Sequence, residues 1–157
     1  MGIGSYINNN LENESVRTVW SGESYDTAKK AEEDLYKTMK YIGLKEVTKE
    51  DQENEHRFKE PVFRISDEEE DTEEATDFFI YDPRYDKWIR VDLTTATNPE
   101  VINKKMTRYN NLESKLGQEV KLLRIPGDVL DRASRHCERD VLEVRNTLLR
   151  EVFDIEI

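Results

Sequence analysis

Two aspartates in the middle of the chain have the residue type and spacing that a metal site needs. Asp77 opens the apolar run Asp77–Tyr81, and Asp92 lies near the end of the alternating run Lys87–Thr95. If these runs are paired strands, the two carboxylates converge at one edge of a sheet. A carboxylate in a half-buried strand is costly unless it is paired or ligated. Two such acids with a backbone carbonyl form an oxygen site suited to Mg²⁺ or Mn²⁺.

The residue types of the chain exclude a zinc site of thiolate and imidazole ligands, but they leave a structural role for the two aspartates open. The chain has one cysteine, Cys137, and two histidines, His56 and His136, so it has no cluster of thiolate or imidazole ligands and no internal disulfide. Any metal must therefore be held by oxygen atoms. The structural alternative is that Asp77 caps the start of a strand and Asp92 is a solvated acid at the sheet edge.

The strand that carries Asp92 has two chemically different faces. Its alternation places apolar side chains on one face and Asp92 with Thr94 on the other. The turn before it begins with Asp82-Pro83, and we interpret Asp82 and Asp86 as ordinary turn residues. The two strands are thus predicted to form a hairpin.

The remaining patterns predict the elements around this hairpin. Pro61 indicates either an edge position or an interruption for the strand that contains it. A strand, a helix and a further strand after the hairpin imply a crossover, which favours an α/β (α+β) fold with a small mixed central sheet flanked by helices. The other predicted elements are a helix from Asp26 to Ile42 ended by Gly43, a strand within His56–Ile65, a helix from Asn98 to Leu116 ended by Gly117, a strand over Glu119–Ile125, and a long C-terminal helix from Asp128 to Val152 with one break or none.

The order of these residues resembles the core of the PD-(D/E)XK nucleases. In that family an acid is followed, after a variable gap, by Asp or Glu, any residue, and Lys; here Asp77 is followed by Asp92-Leu93-Thr94. The first helix, AKKAEEDLYKTMKYIG, is similar to that of archaeal Holliday-junction resolvases, which carries a Glu ahead of a helix-ending Gly. The resemblance covers residues 26 to 125 and implies a restriction-endonuclease-like fold.

The resemblance implies roles for individual residues. Asp77, Asp92 and the Leu93 carbonyl would bind Mg²⁺ or Mn²⁺, with Glu32 binding directly or through water. The helical wheel places Glu32, and not Glu33, at the border of the apolar arc. Thr94 stands where the family has its Lys.

A lysine on the next helix is a candidate for the missing one. Lys105 falls inside the apolar arc of its helix, whereas Lys104 faces outward. Some members of the family carry their catalytic Lys on this helix, so Lys105 could reach back to the strand edge. The alternative is that the Lys105 stem lies on the core while its ammonium reaches water.

Charge is concentrated in one segment of the chain. Residues 50 to 77 hold 13 acids and 3 bases, a net charge of -10 out of a total of -11. Residues 66–76 are predicted to be a solvated acidic loop. The alternative is that this block mimics DNA for a basic partner or shields a site from the wrong polyanion.

The length of 157 residues predicts one domain, residues 25–157, after a mobile arm, residues 1–24. No apolar run is long enough for a membrane span, so we expect a cytoplasmic protein without membrane contacts. We also expect no small-molecule cofactor. The wide apolar stripe of the last helix makes a homodimer plausible. DNA would be the partner of a nuclease, and the residues expected to contact its phosphates are Lys104, Arg108, Arg132, Arg135 and Arg139.

Three function classes follow. The first is a divalent-metal-dependent DNA nuclease, favoured by the order of Asp77, Asp92, Glu32 and Lys105. The second is a catalytically inactive relative that binds nucleic acid or protein, favoured by Thr94. The third is an acidic interaction protein or DNA mimic, favoured by the charge of residues 50–77. A small viral or mobile-element protein would fit any of them.

Overall fold

The computed structural model describes residues 25–54, 57–117 and 119–156. The arm expected over residues 1–24 lies outside these ranges. Within them, the elements are α1 (Tyr25–Tyr41), β1 (Lys45–Glu46), α2 (Lys49–Glu53), β2 (Val62–Ile65), α3 (Glu68–Glu73), β3 (Phe78–Asp82), β4 (Lys87–Thr94), α4 (Pro99–Leu116), β5 (Val120–Arg124), α5 (Gly127–Ser134) and α6 (Glu138–Glu151).

The five strands form one mixed sheet in the order β1-β2-β3-β4-β5. Strands β2, β3 and β4 are antiparallel neighbours, whereas β1 pairs with β2 and β5 pairs with β4 in parallel. The parallel β4–β5 pair needs a crossover, and α4 is that crossover. The predicted mixed α/β architecture with a central sheet, flanking helices and a long C-terminal helix is confirmed.

One face of the sheet carries the main core. Ile89, Val91 and Leu93 of β4 point to this face, as the alternation predicts, and pack with side chains of α1, α5 and α6. Leu35 of α1 and Leu130 of α5 belong to this core and are almost fully buried. Helices α1, α5 and α6 therefore cover this face together.

The opposite face is covered in part by α4. Tyr109 and Leu112 of α4 pack against Val120 and Leu122 of β5, with Ala75 at the border. A smaller aromatic cluster covers the rest of this face and consists of Phe58, Tyr81 and Trp88 with Val47 and Val62. Asp92 points to the α4 face because it alternates with Val91 and Leu93.

The boundaries of α4 follow from local chemistry. The Asn98 side chain accepts a hydrogen bond from the Glu100 N–H at 2.8 Å, and Pro99 occupies the first turn. Gly117 ends the helix with φ +71°, a left-handed conformation that favours glycine. Helix α1 ends in the same way before Gly43, at φ +104°. Both predicted helix ends are confirmed.

Other predictions need correction. The strand expected within His56–Ile65 is reduced to β2, which starts directly after Pro61 and lies between β1 and β3. Pro61 thus marks an interruption and not an edge strand, since its missing N–H falls just outside the ladder. Helix α2 and the short edge strand β1 were not predicted.

The acidic segment and the C-terminal helix also differ from expectation. Residues 66–76 are not only a solvated loop, because Glu68–Glu73 form α3. Asp67 caps this helix: its carboxylate accepts the Glu70 N–H at 2.9 Å, and the Glu70 carboxylate accepts the Asp67 N–H at 2.9 Å. The C-terminal helix is broken once, at residues 135–137, where His136 has φ +69°.

None of the helices in the described ranges combines the length and apolar character needed to cross a membrane.

Candidate functional site

Asp77 lies at the junction between the acidic segment and β3. Its backbone N–H donates to the Val91 carbonyl at 2.8 Å, and its carboxylate Oδ2 accepts the Leu93 N–H at 2.6 Å. Asp77 is therefore attached to β4 by both its main chain and its side chain. The backbone of Leu93, whose carbonyl is an expected metal ligand, lies directly beside this carboxylate.

Asp92 brings a second carboxylate to the same place. It is buried on the α4 face of β4, and its carboxyl lies close enough to Asp77 to influence the protonation of that residue. Burial and the Asp92 charge raise the pKa of Asp77 well above its ordinary value, and the charge of Glu32 raises it further. The convergence expected of the two acids is present.

Helix α4 supplies two donors to Asp92. Lys105 Nζ lies 3.3 Å from Asp92 Oδ2, and the Tyr109 hydroxyl donates to the same oxygen. The Lys105 side chain retains only 19% exposure, so it reaches inward to the strand edge instead of extending to water. Burial and the Asp92 carboxylate raise the pKa of Tyr109 far above its ordinary value, so it remains a hydrogen-bond donor.

Helix α1 contributes Glu32, as the helical wheel predicts. Glu32 is partly buried and close enough to Asp77 to affect its pKa, whereas Glu33 is exposed. All four residues expected at the catalytic centre, Glu32, Asp77, Asp92 and Lys105, are thus brought together. They come from α1, the start of β3, β4 and α4, which approach the same end of the sheet from its two faces.

The basic residues expected to contact DNA are divided between the two faces. Lys104 and Arg108 are exposed on α4, the helix that also carries Lys105. The other three, Arg132, Arg135 and Arg139, lie on the helix pair α5–α6 or between its members, on the opposite face. Arg132 pairs with buried Asp140 at 3.1 Å, and Arg135 pairs with Asp131. Only the α4 residues share a face with Asp92.

Thr94 does not replace the missing strand lysine. It is fully buried, and its hydroxyl accepts the Ala96 N–H at 3.0 Å. A hydroxyl in this role stabilises the turn after β4 and carries no charge. The positive charge at the site comes from Lys105.

The charge of the site decides what it can hold. Two neighbouring acids, with Glu32 nearby, face one ammonium group, so the cluster has an excess of negative charge. Like-charged carboxylates at this separation must share a proton or a cation. Among the residues that the structure describes, no group of three or more His, Cys, Asp or Glu side chains is arranged to hold a metal ion. The oxygen atoms that could hold a hard cation here are those of Asp77 and Asp92 and of the neighbouring backbone, with water in the remaining positions.

Two residues of the site were missed by sequence reasoning. Tyr109 was counted only as an apolar position of α4, yet it lies four residues after Lys105 and so on the same side of the helix. That spacing was the signal available. Asp71 of α3 is close enough to Asp77 to raise its pKa, and no local pattern indicates this proximity because the acidic segment was interpreted as a loop.

Comparison with known proteins identified no relative of this chain. No protein-family model, curated protein or solved structure matches the chain. Function is therefore inferred from the site, which consists of two neighbouring aspartates at one end of the sheet, one lysine and one tyrosine.

Proposed function

We propose that this chain is a divalent-metal-dependent nuclease that hydrolyses phosphodiester bonds in DNA. One observation carries the proposal: Lys105 Nζ lies 3.3 Å from Asp92 Oδ2, and the Asp92 carboxyl is close enough to Asp77 to raise the pKa of that residue. Neighbouring carboxylates with an adjacent ammonium group are suited to binding a cation next to a phosphate. The expected resemblance to PD-(D/E)XK nucleases is consistent with this arrangement.

The residues of the site divide into ligands and supporting groups. Asp77, Asp92 and the Leu93 carbonyl would hold Mg²⁺ or Mn²⁺, with Glu32 beside them. Such an ion supplies activation of water and neutralisation of charge on the scissile phosphate. The Leu93 N–H holds the Asp77 carboxylate in place at 2.6 Å.

Lys105 and Tyr109 act on the other side of the pair. Both reach Asp92 Oδ2, so they fix the orientation of that carboxylate. Lys105 also brings a positive charge to the place where negative charge develops on a phosphate during hydrolysis. Lys104 and Arg108, exposed on the same helix, would bind the flanking phosphates.

The test is cleavage of linear and branched DNA in Mg²⁺ by the purified full chain. We expect products from the wild-type protein and a loss of at least about a hundredfold in rate for Asp92→Asn, since both the ligand charge and the contact to Lys105 are weakened. The matched control is Asp86→Asn, a change of the same size at an exposed turn residue. Equal cleavage by wild-type protein and Asp92→Asn would exclude this site.

Substitution of two neighbouring lysines of α4 can distinguish an effect on catalysis from an effect on DNA binding. Lys105→Ala should lower the rate at saturating DNA, because Lys105 contacts the carboxylate pair. Lys104→Ala should weaken DNA binding and leave that rate nearly unchanged, because Lys104 is exposed. The two variants remove the same charge from neighbouring positions, so equal effects on the saturated rate would contradict the role assigned to Lys105.

A second candidate is a catalytically inactive protein that binds nucleic acid on the same surface. It is favoured by the burial of Thr94 at the position of the family lysine and by the engagement of Lys105 with Asp92. Salt-sensitive DNA binding without Mg²⁺-dependent cleavage would support this candidate over the nuclease.

A further inference from the structure

The acidic segment between β2 and β3 closes on Asp77. The Ser66 N–H at the start of the segment donates to the Asp77 carbonyl at 3.2 Å, and the Thr76 N–H near its end donates to the Glu70 carbonyl at 3.0 Å. Helix α3 lies within the loop that the Ser66–Asp77 bond closes. The start of the segment is therefore held against Asp77, the residue at which the segment ends.

Two arginines of the sheet bind carboxylates of this segment. The Arg64 guanidinium donates to both oxygens of Glu70, at 2.7 and 2.8 Å. Arg90 Nη1 donates to Glu74 Oε1 at 2.6 Å. The two guanidinium groups lie over the ring of Phe79, with Cζ at 4.1 Å from its centroid for Arg64 and 5.0 Å for Arg90.

The two pairs differ in their access to solvent. The side chains of Arg64 and Glu70 are 5% and 10% exposed, so a ligand cannot reach them without opening the fold. Those of Arg90 and Glu74 are 14% and 25% exposed. Ala75, the next residue, is buried against the α4 cluster and fixes the local backbone. Glu74 can thus leave Arg90 by rotation of its own side chain.

Arg90 occupies a useful position relative to the carboxylate pair. It lies two residues before Asp92 on β4, so the two side chains project from the same face about 7 Å apart along the strand. A phosphate bound to the Arg90 guanidinium would lie on the same face of the sheet as Asp92. In the described state this anion position is taken by the Glu74 carboxylate.

We propose that Glu74 is an autoinhibitory carboxylate that occupies Arg90 in place of a nucleic-acid phosphate. The Arg90 N–H that donates to the Glu74 carboxylate can donate equally to a phosphate oxygen, so one anion can replace the other. The exposed acids of α3, among them Glu68, Glu69 and Glu73, repel a polyanion and keep its affinity low until Glu74 is displaced. This inference rests on the proposed nucleic-acid-binding function and names its regulation.

The test compares two neighbouring glutamates by fluorescence anisotropy with labelled single-stranded and duplex DNA in EDTA, where metal-dependent cleavage does not occur. Glu74→Ala and Glu73→Ala change the net charge equally, but only Glu74 binds Arg90. We expect Glu74→Ala to bind DNA at least about fivefold more tightly than Glu73→Ala. Its plot of log affinity against log salt should be steeper by about one, as for one additional phosphate contact.

Further variants keep the test decisive. Glu74→Gln preserves size and hydrogen-bonding capacity and should give a smaller gain in the same direction. Arg90→Gln added to Glu74→Ala should abolish the gain, because the released arginine is its source. Circular dichroism and thermal unfolding establish that each variant is folded.

The outcomes for regulation and for catalysis are separate. Equal affinities of Glu74→Ala and Glu73→Ala, a gain that survives Arg90→Gln, or no binding by any variant at low salt would each overturn the inference. Cleavage is measured separately in Mg²⁺. A wild-type protein and a Glu74→Ala variant that both bind DNA but do not cleave it would contradict the nuclease and leave the Glu74–Arg90 exchange supported.

Discussion

Two clusters of acids near α3 differ in their charge balance. In the first, Glu70 is matched by Arg64, and both carboxylate oxygens accept guanidinium hydrogens. In the second, Asp92 raises the pKa of Asp77, and Lys105 is the cation paired with Asp92 at 3.3 Å. The first cluster is complete within the fold, whereas the second has charge left for a ligand.

The pKa shifts of the two clusters follow this balance. Burial alone would raise the pKa of Glu70, but the hydrogen bonds from Arg64 and from the Asp67 backbone outweigh it, so the pKa is lowered. Burial also raises the pKa of Asp77, and there the neighbouring Asp92 adds to the effect. Burial thus acts in the same direction on both acids, and the counter-charge beside each one decides the direction of its pKa shift.

The largest predicted effect tests the complete cluster. Arg64→Ala leaves the Glu70 carboxylate buried without its partner and should lower the free energy of unfolding by about 3–5 kcal/mol. Arg57→Ala is the control, since the Arg57 side chain is 81% exposed and its pair with Asp86 should contribute at most about 1 kcal/mol. Urea unfolding at pH 7 measures both. Similar losses for the two variants would show that the Arg64 pair is not the structural link between α3 and the sheet.

The second prediction tests the opposite signs of the two pKa shifts. The folded pKa of Glu70 is below its ordinary value of 4.5, so its contribution to stability is present above that pH and is lost as the pH falls through the folded pKa. The folded pKa of Asp77 is above its ordinary value of 3.8, so the folded state binds the extra proton and stability is lost as the pH rises above 3.8 toward the folded pKa.

Each variant should remove one of these pH effects. In EDTA, Asp77→Asn should be more stable than wild type above the ordinary carboxyl range, and it should lack a decline of up to about 1.4 kcal/mol per pH unit. Glu70→Gln should lack the loss on the acid side. Urea unfolding from pH 3 to 8 measures both. A wild-type stability that does not fall with rising pH relative to Asp77→Asn would contradict the charge excess at the site.

The smallest predicted effect separates a site hydrogen bond from a structural one. Tyr109 donates to Asp92 and Tyr81 donates to Asp86, each through a buried tyrosine hydroxyl. Tyr109→Phe and Tyr81→Phe should each cost about 1 kcal/mol in thermal unfolding. Only Tyr109→Phe should also weaken Mn²⁺ binding measured by calorimetry, by about tenfold, because an oriented ligand loses its support. Unchanged Mn²⁺ affinity would assign Tyr109 to packing alone.

The accuracy of the sequence predictions depended on how local each signal was. The ends of α4 were predicted because Asn98, Pro99 and Gly117 act within one helical turn. The short strand β1 and helix α2 were missed because β1 has only two paired residues, and its pairing with β2 lies outside any local pattern. Lys105 was predicted to point inward from the helical wheel, but its partner was not fixed by that wheel.

The sequence by itself determined the alternation of β4, the inward side of α1 and α4, and the concentration of acids in residues 50–77. Periodicity and capping are properties of neighbouring residues and need no knowledge of the rest of the chain. Only the tertiary structure decided that α3 forms, that Asp71 and Tyr109 join the site, and that Glu74 binds Arg90. These outcomes depend on residues far apart in sequence, because charges interact through space at distances that only the packed sheet establishes.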